Sequence, residues 1–127
     1  MVNAQGKTSQ ETLRDCGFVD RDPKLSEQEN HRRRWCNDMD DETAKWALFQ
    51  TCPEPPGGLT GPVVNAPYPS WVPTTYIVTT MDRAIPEEIQ RKLLRNLGTP
   101  AVEAIHSGHG AMISDPKGLA DLLLKFA

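Results

Sequence analysis

The spacing of apolar and polar positions divides the chain near Trp71. Ahead of it the pattern is sparse. Leu25 to Trp35 reads as a short polar helix whose apolar face is nearly empty. From Asp40 to Gln50 the signal improves: Ala44, Ala47 and Leu48 recur at helical spacing with Trp46 and Phe49 beside them, and Asp40, Asp41 and Glu42 stand where acidic groups favour a helix N-terminus. Pro53, Pro55, Pro56, Gly57 and Gly58 end that helix, and Gly61 to Pro73 reads as a proline-punctuated connector. Beyond Trp71 the pattern is regular. Thr74 to Thr79 predicts a strand, Met81 to Ala84 a loop, and Pro86 a first helical turn. Ile89, Leu93, Leu94 and Leu97 form one stripe, which Asn96-Leu97-Gly98 closes. Val102 to Ile105 predicts a second strand and His106 to Ser114 a glycine-containing loop. Asp115-Pro116 opens a last helix with Leu119, Leu122, Leu123 and Phe126 facing inward.

Strand, helix, strand, helix is the order of an α/β fold with parallel strands. Two strands make an unusually small parallel sheet, because such a sheet is covered on both faces and paired along its edges. The expectation is therefore the end of a larger sheet. The segments predicted are 1–36, polar and poorly defined; 37–72, a partial helical cap and connector; and 73–127, the α/β core.

Composition adds little. The net charge is −3, the pI about 5.6 and the mean hydropathy −0.52. A balance of that sign gives no electrostatic case for nucleic acid or an anionic membrane. The basic run His31 to Arg34 is flanked by acids and reads as a solvated helix face. No apolar stretch approaches the ~18 residues of a membrane span, and the polar start carries no hydrophobic signal region. Cys16, Cys36 and Cys52, odd in number and without a CxxC pair, fit reduced thiols in the cytoplasm, with a single disulfide left open.

Candidate chemistry lies in the loops after the two strands, where open parallel sheets gather function. The first loop holds Asp82 and the second His109, between Gly108 and Gly110. Adjacent parallel strands bring such loops together. A carboxylate on one imidazole nitrogen fixes the tautomer and leaves the other nitrogen as a base. The glycines are expected to allow a sharp turn and leave space around the ring. Plainer readings stay open from spacing alone: an Asp that caps a helix, a surface His, or a weak metal site from His106, His109 and Asp82. Trp46, Phe49, Met81 and Met112 are expected in the core rather than lining a pocket.

Two motifs extend this reading. Pro73-Thr-Thr-Tyr-Ile-Val-Thr-Thr-Met-Asp82-Arg-Ala-Ile-Pro86-Glu-Glu-Ile-Gln90 resembles the acid-bearing segment of α/β-hydrolases, in particular the subgroup of plant methylesterases, hydroxynitrile lyases and related microbial hydrolases. Ile105-His-Ser-Gly-His109-Gly-Ala-Met-Ile-Ser114-Asp-Pro116 is similar to that subgroup's histidine segment, and Asn37 to Ala47 with Pro53-Glu54-Pro55 resembles the end of its cap. The resemblance spans Asn37 to Ala127 and implies a serine hydrolase acting on carboxylic ester-like small molecules, with Asp82 as the acid, His109 as the base, and no cofactor or metal. The serine of that fold lies ahead of the acid on a strand-to-helix elbow. No Gly-x-Ser-x-Gly occurs here, and Ser9, Ser26, Ser70 and Cys16-Gly17 lack an elbow's setting. The chain alone is expected to be inactive or nearly so: a truncated form of a complete hydrolase. The alternatives are one part of a split enzyme, or a non-catalytic binding module that self-associates or takes a partner along its exposed sheet edge.

Overall fold

The computed structural model describes residues 11, 14–15, 21–52, 71–95 and 101–126. After helical positions at 11 and 14–15 come two helices, α1 (Glu27–Trp35) and α2 (Asp41–Phe49). Next are β1 (Thr75–Thr79), α3 (Glu87–Leu94), β2 (Ala101–Ile105), a single-turn α4 (Ala111–Ser114) and α5 (Pro116–Leu123), which tightens into a 3₁₀ turn at Leu124–Phe126. The expected proline-rich connector between residues 53 and 70 and the glycine closure after α3 lie outside the described residues.

The start of each helix has a local cause. Ser26 and Glu29 form a capping box, with the Ser26 hydroxyl accepting from Glu29 N–H and the Glu29 carboxylate accepting from Ser26 N–H at 2.8 Å. Asp40 accepts from Thr43 N–H at 2.8 Å and caps α2. Asp115 accepts from Gly118 N–H at 2.9 Å ahead of α5. Pro86 is the N-cap of α3 rather than part of its first turn.

The apolar poverty of α1 has a specific answer. Its buried residue is Asn30, whose amide donates to Asp22, Leu25 and Ser26 carbonyls and whose oxygen accepts from Asp22 N–H. A polar side chain satisfied on every side takes the place of an apolar stripe. The basic run falls in the last turn of α1, where it complements the helix dipole. Arg32 also donates to the carbonyls of Cys36 and Met39, so part of this run braces the chain instead of merely facing solvent.

β1 and β2 pair in parallel, from Thr75 opposite Ala101 to Thr79 opposite Ile105. Val78 and Ala84 are fully buried beside Ile89, Leu93 and Leu94 of α3. Ile105, Ala111 and Leu122 form one apolar cluster, with Ile77 and Leu119 against it. Cys36, Met39, Ala44 and Ala47 form another, which Leu48 and Ile113 join.

Three expectations are corrected. The residues before Ser114 are not all loop: Gly110 C=O accepts from Ile113 and Ser114 N–H, closing the turn of α4. Leu123 (53%) and Phe126 are exposed, because the two-stranded sheet offers a narrow face that Leu119 and Leu122 already cover, and the 3₁₀ turn rotates the last side chains away from it. Trp46 (56%), Phe49 (84%), Met81 and Met112 (63%) are exposed rather than core. Ala44, Ala47 and Leu48 occupy the inward face of α2, and positions 46 and 49 fall on the opposite side at 100° per residue.

Candidate active site

Pairing continues past the strands. Thr80 N–H donates to Ile105 C=O and Met81 N–H to Ser107 C=O, each at 3.0 Å, so the two loops leave the sheet side by side. The loop after β1 carries Asp82 and the loop after β2 carries His109. Their side chains meet: His109 Nδ1 lies 2.9 Å from Asp82 Oδ2.

Asp82 has its side chain 4% exposed, yet every oxygen is satisfied. Oδ1 accepts from the N–H groups of Ala84 (2.7 Å) and Ile85 (2.9 Å), and Oδ2 accepts from the Thr79 hydroxyl (3.0 Å) as well as His109. Burial pushes the carboxyl's pKa up, but the bond to His109, the Ile85 N–H, the charge of His109 and the Thr79 hydroxyl outweigh it, holding Asp82 below the ordinary aspartate range. An ionised carboxylate can only accept, so His109 donates to it from Nδ1, and Nε2 is the ring nitrogen left without that bond.

Gln90 explains why the acid motif includes a glutamine. It is almost fully buried. Its amide donates to Thr79 C=O (3.0 Å), the Thr79 hydroxyl (3.0 Å) and Ile85 C=O (2.8 Å), and its oxygen accepts from Thr79 N–H (3.1 Å). The first turn of α3 is thereby clipped to both ends of the acid loop.

The helical region reaches the same place. Trp35, at the end of α1, sets its ring edge-on to the His109 imidazole, with centroids 4.5 Å apart and an interplanar angle of 85°. Asn37 Nδ2 donates to Met81 C=O (2.9 Å). Asp38 Oδ2 accepts from Gly108 N–H (2.5 Å) and the Ser107 hydroxyl (3.0 Å). Burial raises the Asp38 pKa, but Gly108 N–H and the Ser114 and Ser107 hydroxyls lower it more, leaving it below the usual value. These contacts revise the reading of the glycines. Neither Gly108 nor Gly110 needs a left-handed backbone; a Cβ on Gly108 would overlap Asp38 Oδ1, and one on Gly110 would lie 2.9 Å from Met39 Cε. The 35–39 turn packs against both glycines.

A small apolar cavity of about 170 Å³ opens beside His109, walled by Trp35, Met39, Leu48 and Ile113, with Cys36 and Thr51 among the rest of its lining. A larger open hollow of about 1080 Å³ lies between α1 and α2, and its lining does not include His109. Burial pushes the Cys36 thiol's pKa up, Arg32 opposes this, and Asp38 adds to it; the net rise disfavours a thiolate. Cys36 and Cys52 are free thiols. Among the described residues His109 hydrogen-bonds to Asp82 alone. Ser107 and Ser114 bond to one another at 2.7 Å, and Ser26 is engaged as a helix cap. Ser9, Ser70 and Cys16 lie outside the described residues. His106 meets the Thr80 hydroxyl, apart from the Asp82–His109 pair, and among the described residues no group of three or more His, Cys, Asp or Glu side chains is placed to hold a metal ion. No helix among the described residues is long and apolar enough to cross a membrane.

Sequence reasoning reached Asp82 and His109 but not Trp35, Asn37, Asp38 and Gln90 as their supports. Gln90 belongs to the acid motif and had a signal there. Asp38 falls in the cap-like stretch from Asn37 to Ala47, but nothing there points to its contacts, which are 69 and 70 residues away in sequence.

The sequence matches the Alpha/beta hydrolase family over residues 6–122, and the chain belongs to that family. Among curated proteins it is similar to Salicylic acid-binding protein 2 of Nicotiana tabacum, at 44% identity over 57 residues, 44% of this chain and 22% of that protein. The matched stretch thus spans about a fifth of the length of the curated relative.

Proposed function

We propose that Asp82 and His109 are the acid and the general base of a serine hydrolase acting on carboxylic ester-like small molecules. The observation that carries this reading is the 2.9 Å contact between His109 Nδ1 and a buried, fully hydrogen-bonded carboxylate. In the reaction Asp82 fixes the Nδ1–H tautomer. Nε2 takes the proton of a serine hydroxyl as its oxygen attacks the acyl carbon, Asp82 stabilises the imidazolium, and Nε2 returns the proton to the leaving alcohol. On this reading the serine and the oxyanion donors come from polypeptide other than these 127 residues, since no nucleophile elbow occurs in the sequence. Family membership supports the reaction class. The similar tobacco protein is named for binding salicylic acid, and the cavity beside His109, apolar and about 170 Å³, suits one ring-sized group. Both favour esters of small, ring-bearing acids.

The test is hydrolysis of an activated aryl ester by a form of the protein that carries a serine elbow. Asp82→Asn is expected to lower kcat by about 10⁴-fold, as loss of the orienting carboxylate does in serine hydrolases, and His109→Ala to abolish turnover. Unchanged turnover in both variants overturns the proposal. The 127-residue chain alone is expected to give none; turnover there that vanishes in His109→Ala would show that it supplies its own nucleophile.

A further inference from the structure

The turn between α1 and α2 touches both site loops through two consecutive side chains. Asn37 donates to the carbonyl of Met81, the residue before the acid. Asp38 accepts from the N–H of Gly108, the residue before the histidine, and from the Ser107 hydroxyl. The turn is itself held: Arg32 donates to the Cys36 and Met39 carbonyls on either side of it, Met39 N–H donates to Cys36 C=O, and Cys36 and Met39 are buried in an apolar cluster. The Ser107 hydroxyl in turn accepts from the Ser114 hydroxyl, and Gly110 C=O accepts from the N–H groups of Ile113 and Ser114, so the loop is tied on both sides of His109.

A loop with glycine on both sides of a functional histidine has backbone freedom that must be removed if the imidazole is to stay within hydrogen-bond reach of Asp82. Part of what removes it comes from outside the α/β region, at Gly108 N–H and Met81 C=O. We propose that Asn37 and Asp38 form a positioning clamp that locks the histidine loop to the acid loop and so holds His109 in the Nδ1–H tautomer on Asp82. The clamp requires glycine at 108, because a Cβ there would overlap Asp38 Oδ1 and meet Asp38 Cγ and Asn37 Oδ1 at 2.8 and 2.9 Å. This inference rests on the catalytic reading of the pair, but its readout does not depend on turnover.

The experiment is ¹⁵N NMR of the histidine rings in the full 127-residue chain. The native chain is expected to show His109 as the Nδ1–H tautomer. Asp38→Ala is expected to shift it to a mixture dominated by Nε2–H, the ordinary preference of a free imidazole, with loss of the Nδ1 proton signal. Asp38→Asn keeps an acceptor oxygen for Gly108 N–H and is expected to retain the native tautomer. Asp40→Ala removes the α2 cap without touching the loop, and serves as the control for a merely structural loss. Gly108→Ala drives the same carboxylate off the loop and gives a second reading should Asp38→Ala not fold; combined with Asp38→Ala it is expected to add no further shift. A tautomer unmoved in Asp38→Ala, or moved no more than in Asp40→Ala, overturns the proposal, and so does an unmoved tautomer in Gly108→Ala. Failure of the catalytic reading looks different: the tautomer responds as described while ester turnover of a serine-bearing form survives His109→Ala.

Discussion

The two regions that meet at His109 do so by different means. The α/β region, residues 75–126, places Asp82 and His109 with backbone: two parallel strands in register, then two loops leaving the same end. The helical region, residues 27–49, contributes no strand; built around its own apolar cluster, it approaches with side chains, the Trp35 ring, the Asn37 amide and the Asp38 carboxylate. Backbone pairing sets which residues become neighbours. Side-chain contacts then remove the freedom that glycine-flanked loops retain. The pair is built by one region and braced by the other.

The largest way to break this division is to attack the builder. Gln90→Leu would leave Thr79 N–H and the Thr79 and Ile85 carbonyls without their buried partner. The expected cost is about 3 kcal/mol, since each buried group left unsatisfied costs ~1–3 kcal/mol with partial relaxation. Urea unfolding would measure it, and Gln90→Glu at low pH, neutral and nearly isosteric, should recover part of the loss. Next comes acid. Asp82 and Asp38 are both held below the ordinary carboxyl range in the folded chain. Their contribution is full above the unfolded-state value near 3.8 and disappears as the pH falls through the lower folded values. Stability should therefore drop steeply below pH 3.8, and removing either carboxylate should flatten that acid limb in a pH series of melts.

Smaller effects sharpen the comparison from the bracing side. Ser26→Ala removes the capping box of α1 and should cost about 1 kcal/mol while leaving the Asp82–His109 contact intact, since the cap lies at the opposite end of α1 from the Asn37–Asp38 turn. Gly110→Ala should cost less, under about 1 kcal/mol, because its one tight contact is the flexible end of Met39 at 2.9 Å, with the Trp35 carbonyl at an ordinary 3.7 Å. A Gly110→Ala loss larger than that of Gly108→Ala, measured by thermal melts, would mean that the carboxylate contact at Gly108 is not the tight one.

The sequence carried the elements of the builder well. Thr74 to Thr79 reads as a strand from its β-rich composition, Val102 to Ile105 as a second short strand, and Ile89, Leu93 and Leu94 mark one helical face. It read the brace poorly. The inward side of α1 is Asn30, a residue no hydrophobic pattern reports; in α2 the expected stripe of Ala44, Ala47 and Leu48 does face inward, but the large side chains beside it, Trp46 and Phe49, do not.

The sequence by itself determined the order of strands and helices, the two loops that hold Asp82 and His109, and the resemblance to the α/β hydrolases, because periodicity and motif are local properties of the chain. Tertiary structure alone decided what stands beside the imidazole. Asp38 and Gly108 lie 70 residues apart and nothing in either neighbourhood announces the other; only when α1 and α2 pack on the loop does a short hydrogen bond form, and only then does the glycine at 108 become a requirement of space rather than of backbone angle.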